Sequence, residues 1–392
     1  MTMRKCYLGL LLALAGTVNA MPAGEYVEKA GDCTACHTSE NGAPLAGGRR
    51  FSTPIGDIYA TNITPDKQHG IGAYSFEDFD RAMRQGIAKD GHHLYPAMPY
   101  TAYARMSAAD MHALYDYLMH DVDPNPTANR RSDIPWPLSM RWPLAAWNLL
   151  FHDDTPYQPD ARQSAEWNRG AYLVQGLGHC GSCHTPRGLA MQEKALDNAS
   201  PLYLSGAELD GWYATGLRGL EPGAVAALLK TGRSRHAAVA GPMAEVVTHS
   251  TQYLNDADLQ SIGLYLHSLA SAVPAVQSAG AADSSSGKQT YAMYCSTCHG
   301  NQGEGSDNAI PALAGNPSVT ASNPLTALRV VLEGAQTPIT EHGAALSMPG
   351  YAWALDDRQV ADLMNYLRGS WGNQAAPVTA GQVKETRKLA GQ

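Results

Sequence analysis

The chain has 392 residues, 44% of them hydrophobic, with 28 Lys and Arg against 36 Asp and Glu and a formal net charge of -8. That apolar content suffices for packed cores, and the acidic balance argues against nucleic acid or anionic lipid headgroups as the main partner. Beyond the N-terminus no stretch is apolar for long enough to be a transmembrane helix.

Residues 1–20 read as a secretory signal. Arg4 and Lys5 form a positive start, Tyr7 to Gly16 a short apolar run, and Val18-Asn19-Ala20 a small-residue cleavage site. Export places the protein in the periplasm. Removal of the signal takes the net charge from -8 to -10 and removes Cys6. Six cysteines remain.

All six fall in one pattern that occurs three times: Cys33-Thr34-Ala35-Cys36-His37, Cys180-Gly181-Ser182-Cys183-His184 and Cys295-Ser296-Thr297-Cys298-His299. C-x-x-C-H is the attachment pattern of a c-type haem. Two thiols on one helical turn can each add to a vinyl group of one porphyrin, and the next residue brings an imidazole under the iron. The sequence therefore predicts three covalently bound haem c groups. The thiols Cys33, Cys36, Cys180, Cys183, Cys295 and Cys298 would hold the rings, and His37, His184 and His299 would be the proximal ligands. A zinc site would bring a second paired set of ligands to the same metal. A thioredoxin-like redox motif would lie in a βαβ pattern, and none is visible.

The motifs begin 147 and then 115 residues apart, about one small domain each. A short helical stretch with Gly and an aromatic precedes each: Gly24-Glu25-Tyr26, Arg169-Gly170-Ala171-Tyr172, and Gly287 to Tyr291. A Gly- and Pro-rich loop follows, then a Met-containing turn, then an amphipathic helix. The closing helices start at Ser107, Asn255 and Asp356, with Asp110, Asp258 and Gln359 three residues later, as in a capping box or a near relative of one. Each carries Tyr-Leu at the same register and reads as a wall of the fold.

The sixth ligand of each iron must come from elsewhere. Met98, Met243 and Met348 stand 61, 59 and 49 residues after the motif histidines, each beside a proline that helps to aim the side chain. A lone methionine is usually core filler, but three in equivalent places read as thioether ligands. The competitors are Met106, His92 or His93 at the first site, His236 or His249 at the second and His342 at the third.

These features resemble the three-haem cytochrome c subunits of bacterial periplasmic, membrane-associated dehydrogenases for alcohols, gluconate, sorbitol or fructose. The echoes are Met98-Pro-Tyr-Thr-Ala-Tyr103, Glu166-Trp-Asn-Arg-Gly-Ala-Tyr-Leu-Val174, Gly178-His-Cys-Gly-Ser-Cys-His-Thr-Pro-Arg187, Gly241-Pro-Met-Ala-Glu-Val-Val247 and Ser370-Trp-Gly-Asn373. The resemblance implies an all-α chain of three tandem class I cytochrome c domains, each a small helical haem-binding fold, at 21–125, 161–272 and 288–372. It also implies an electron-transfer subunit, not itself an enzyme. Such a subunit takes electrons from a catalytic partner, first of all a flavoprotein, and passes them to ubiquinone or a terminal oxidase. It would lie peripherally on the outer face of the cytoplasmic membrane. The alternatives are a self-standing multihaem enzyme of peroxidase or thiosulfate-oxidising type, which needs an iron with a labile ligand, and a free electron shuttle.

Residues 126–160, with Pro135-Trp136-Pro137, Arg141-Trp142 and Trp147-Asn148, are too aromatic for a free linker and read as a strap packed on the first two domains. Residues 273–287 read as a flexible tether that leaves the third domain more mobile. Residues 373–392 read as a solvated tail. A mass spectrum of the exported protein is expected to show a chain lacking residues 1–20 and carrying three porphyrin additions; fewer than three would contradict the motif reading.

Overall fold

The computed structural model describes residues 21–270, 285–306 and 309–390. The expected signal lies outside them, as does the expected tether apart from residues 285–287, which open a helix. The described chain is mostly helical. Its strands form four separate two-stranded antiparallel ribbons.

The same helical frame recurs three times. Opening helices Ala23–Ala30, Ala165–Tyr172 and Ser285–Tyr294 lead into short motif helices Cys33–His37, Gly181–His184 and Ser296–His299. Closing helices Ala108–His120, Asp256–Ser268 and Asp357–Gly369 pack across the opening ones. Each closing helix starts where its N-cap predicts. Ser107, Asn255 and Asp356 accept from the amides of Asp110, Asp258 and Gln359 at 3.0, 2.8 and 2.8 Å.

The first two crossings are close because a glycine sits at each. A Cβ on Gly24 would lie 2.2 Å from Ala113 O and 2.5 Å from Tyr117 Cβ. A Cβ on Gly170 would lie 1.9 Å from Ser261 O and 2.9 Å from Tyr265 Cβ. The aromatic of the predicted Tyr-Leu pair covers the glycine, and its neighbour enters the core: Leu118, Leu266 and Leu367 are all buried.

One cluster of buried apolar side chains runs without a break from Val27 to Leu269 and includes Leu114, Tyr172, Leu173 and Leu259. The segments around the first two motifs therefore share a core. A second cluster, from Tyr291 to Val383, surrounds the third motif. The third segment meets the second mainly through polar contacts. Thr326 Oγ1 accepts from Tyr213 N and donates to Tyr213 O, both at 2.9 Å. Arg329 lies 4.2 Å over the Trp212 ring and donates to Gly211 O at 3.0 Å.

The 126–160 connector is tied to the first segment by hydrogen bonds and a stacked cation. Asn62 donates to Asn125 O at 2.8 Å and to Thr127 O at 3.0 Å, and Tyr100 donates to Asn148 Oδ1 at 2.7 Å. Arg141 lies 3.7 Å over the Tyr95 ring. Trp147 reaches the second segment by donating to Ala190 O at 2.9 Å. Ile134 is buried, but four large apolar groups face outward: Trp136, Trp142, Leu149 and Leu150 are 78, 71, 86 and 72% exposed.

The C-terminus corrects the expectation of a solvated tail. Ala380–Ala390 is a helix packed on the third core. Val383 is fully buried, and Val378 and Thr386 nearly so. Arg387 pairs with Asp357 at 2.9 Å and donates to Leu355 O at 2.9 Å. Few bulky side chains suffice here because the apolar residues need cover only one narrow face.

An exposed helical Gly gains stability on replacement by Ala, about 1 kcal/mol from propensity alone. At Gly170 the added methyl has no room, so Gly170→Ala is expected to lose about 3 kcal/mol instead, read from the denaturant midpoint. A gain would show that the crossing is looser than described.

Candidate functional site

Each motif histidine is held in the same way. His37 Nδ1 lies 2.6 Å from Thr61 O, His184 Nδ1 lies 2.6 Å from Thr215 O, and His299 Nδ1 lies 3.1 Å from Pro311 O. A carbonyl oxygen can only accept, so Nδ1 carries the proton and Nε2 keeps its lone pair. Burial pushes all three imidazoles down from their ordinary value, which keeps them neutral. A neutral ring with Nδ1 tied to a backbone carbonyl is the form that ligates a metal. The histidines' own carbonyls repeat too, accepting from Gly47, Gly206 and Gly305 at 2.7, 2.8 and 2.9 Å. Sequence reasoning missed these carbonyl and glycine partners, since the spacing from histidine to partner differs in every segment.

The thiols fit the same group. All six are free. Burial pushes the Cys33 thiol well up, those of Cys36 and Cys180 up to about 12, and those of Cys183 and Cys295 up to about 11. A reactive redox thiol needs the opposite shift. Among the described residues no group of three or more His, Cys, Asp or Glu side chains is placed to hold a metal ion, so the zinc alternative gains nothing. The residues present fit a covalently held haem at each motif, with thioether anchors and an imidazole ligand.

The three methionines lie on different local structures. Met98 is in a turn before the short helix Tyr100–Tyr103, Met243 is the second residue of the helix Pro242–His249, and Met348 is on the strand Ser347–Pro349 opposite Ala335. All three are partly buried. The expected common turn is thus found only at Met98. Of the competitors, Met106 is fully buried in the shared core, while His92, His236 and His342 are exposed. His236 Nδ1 instead meets Ala314 O at 3.0 Å, between the second and third segments. His249 is half-buried, and His93 has a buried Nδ1 with no hydrogen-bond partner.

The first two motifs face one another. The first motif helix packs against the Met243 helix, where Arg49 donates to Ala35 O at 2.7 Å and pairs with Glu245. The approach to the second motif packs against Tyr100–Tyr103, with Tyr103 and His179 rings 5.6 Å apart. Cys183 is close enough to Cys36 to raise its thiol electrostatically. Carboxyls flank both motifs. Glu28 is buried and accepts from Thr34 N and Oγ1 at 3.0 and 2.6 Å. Glu193 accepts from Ser182 Oγ at 3.3 Å, and burial raises it above the usual carboxylate range.

The family model for cytochrome c matches residues 23–121 and 284–371. The chain is 47% identical to the gluconate 2-dehydrogenase cytochrome c subunit of Pantoea cypripedii, over 93% of this chain and 89% of that one. It is 46% identical to the cytochrome c subunit of an alcohol dehydrogenase (quinone) from Gluconacetobacter polyoxogenes, over 96% and 86%. It is 37% identical to the fructose dehydrogenase cytochrome subunit of Gluconobacter japonicus, over 96% and 87%.

Glu193 generates a test. A carboxyl raised in the folded state binds its proton more tightly there, so wild-type stability falls as pH rises from the unfolded value through the folded one. Glu193→Gln removes that loss. Across pH 4 to 8 its unfolding free energy is expected to overtake that of the wild type as pH rises; a parallel pair of curves would contradict the burial effect.

Proposed function

The chain belongs to the family of cytochrome c subunits of dehydrogenase complexes, and from that premise we propose a three-haem wire built on three tandem cytochrome c domains. Its role is electron transfer within a complex. Cys33 and Cys36, Cys180 and Cys183, and Cys295 and Cys298 anchor the three groups. His37 with Met98, His184 with Met243, and His299 with Met348 would hold the three irons. The observation that carries this reading is the threefold recurrence of a neutral imidazole whose Nδ1 is tied to a backbone carbonyl. When bound, each group supplies a one-electron carrier, and ligation by His and Met places it in the higher-potential range. The imidazole would orient the group and the thioether would close its iron to small ligands.

The donor in this reading is a catalytic dehydrogenase subunit, a flavoprotein first of all, and the acceptor is ubiquinone or a terminal oxidase. The substrate class is that of the relatives, an alcohol or a sugar acid. We place the protein in the periplasm, peripheral on the cytoplasmic membrane. Among the described residues no helix is long and apolar enough to cross a membrane. The outward-facing Trp136, Trp142, Leu149 and Leu150 of one connector support a contact with an apolar surface.

The decisive measurement is the absorption spectrum of the oxidised protein, expected to show three low-spin haems. Met98→Ala, Met243→Ala and Met348→Ala are each expected to turn one of the three high-spin, with the other two unchanged. A high-spin signal in the wild type would favour the alternative of a self-standing enzyme.

A further inference from the structure

The two closing helices of the shared core are capped by their own Ser107 and Asn255, but the N–H of each N-cap residue is taken from outside the segment. In a capping box the third residue of the helix reaches back to the N–H of the N-cap residue. The third closing helix does this: Gln359 Oε1 accepts from Asp356 N at 2.9 Å. In the first two helices a tyrosine hydroxyl from the opposite segment fills that place. Tyr172 accepts from Ser107 N at 3.0 Å and donates to the Asp110 carboxylate. Tyr26 accepts from Asn255 N at 3.3 Å and donates to Asp258 Oδ2 at 2.5 Å. Each segment therefore lends a tyrosine to the other, and the exchange is reciprocal.

The two tyrosines occupy matching places. Each stands two residues after the crossing glycine, Gly24 or Gly170. Tyr26 precedes Cys33 by seven residues and Tyr172 precedes Cys180 by eight. The extra residue is taken up in the π-helical turn Leu173–Leu177, so both hydroxyls reach equivalent slots. The third segment has no counterpart: two residues after Gly287 stands Gln289, and Tyr291 donates to Gly300 O within its own segment. The slot that a lent tyrosine would need is already closed by Gln359.

Each tyrosine sits on the helix that leads into its motif; the first motif helix lies against the Met243 helix, and the approach to the second lies against the helix Tyr100–Tyr103 that follows Met98. We propose that Tyr26 and Tyr172 are positioning residues that fix the approach of the first and second haem sites, making those two a coupled pair within the wire and leaving the third outside it. The inference rests on the three-haem reading above. Loss of either hydroxyl leaves an N-cap amide and a carboxylate of the facing segment short of a partner, and the joint between the two sites loosens where registry matters most.

The test uses full-length protein loaded with all three haems, with Tyr26→Phe, Tyr172→Phe and the pair. Electron redistribution between sites is followed after pulsed one-electron reduction, alongside redox titration and denaturant unfolding. The double variant is expected to keep three haems and the potential of the third, and to redistribute electrons between the first two about tenfold more slowly. Asp110→Gln in the Tyr172→Phe background closes the box from within, as Gln359 does. It is expected to restore helix stability while the transfer stays slow. Unchanged transfer in the double variant would overturn the proposal, as would transfer that recovers together with stability, since the tyrosines would then be caps alone. A wild-type protein with fewer than three haems would overturn the three-haem reading itself, before any variant is made.

Discussion

An imidazole has two nitrogens, and a metal site needs one of them free in a known direction. Everything local to the three motifs serves that need. The backbone carbonyls of Thr61, Thr215 and Pro311 take the Nδ1 proton, burial keeps the rings neutral, and Gly47, Gly206 and Gly305 hold the histidine carbonyls from the other side. A histidine on an exposed turn would exchange tautomers and rotamers freely, and fixing it on a ligand would cost that freedom. Here the fold fixes it in advance.

The motifs and closing helices were legible in the sequence because their grammar is short-range. A C-x-x-C-H turn and an N-cap with its third residue occupy a few consecutive positions, and the structure has Ser107, Asn255 and Asp356 capping as read. What depends on distant contacts was hidden. The carbonyl partners lie 24, 31 and 12 residues from their histidines, so no fixed interval announces them. Residues 373–392 read as a solvated tail, yet Val383 within them is fully buried because one narrow apolar face of its helix packs on the third core. Met98, Met243 and Met348 shared a flanking proline in the sequence, but a turn, a helix and a strand carry them.

The capping pattern shows how a small deviation from a local rule encodes tertiary structure. An aspartate at the third helix position can close a box by itself: Asp78 accepts from Ser75 N at 3.2 Å at the start of the helix Phe76–Gln85. Asp110 and Asp258 instead accept from the foreign tyrosine hydroxyls, which take the N-cap amides in their place. Burial pushes Asp258 up, but hydrogen bonds from Arg169 and Tyr26 outweigh it and leave the carboxylate below its ordinary range. The charge is retained, and the bidentate Arg169 pair at 2.8 and 2.7 Å anchors the carboxylate that receives the foreign tyrosine.

The two joints of the chain are therefore of different kinds. The first and second segments are joined by a continuous apolar core plus reciprocal hydrogen bonds at its edge, so separating them would cost roughly 1.5–3 kcal/mol for each large apolar side chain exposed. The third is joined by Thr326, Arg329 and Trp212, whose partners water can replace at little net cost. Electron hand-over depends steeply on geometry, so a fixed spacing belongs where the core is shared. The polar joint sits beside Thr215, whose carbonyl holds the second imidazole.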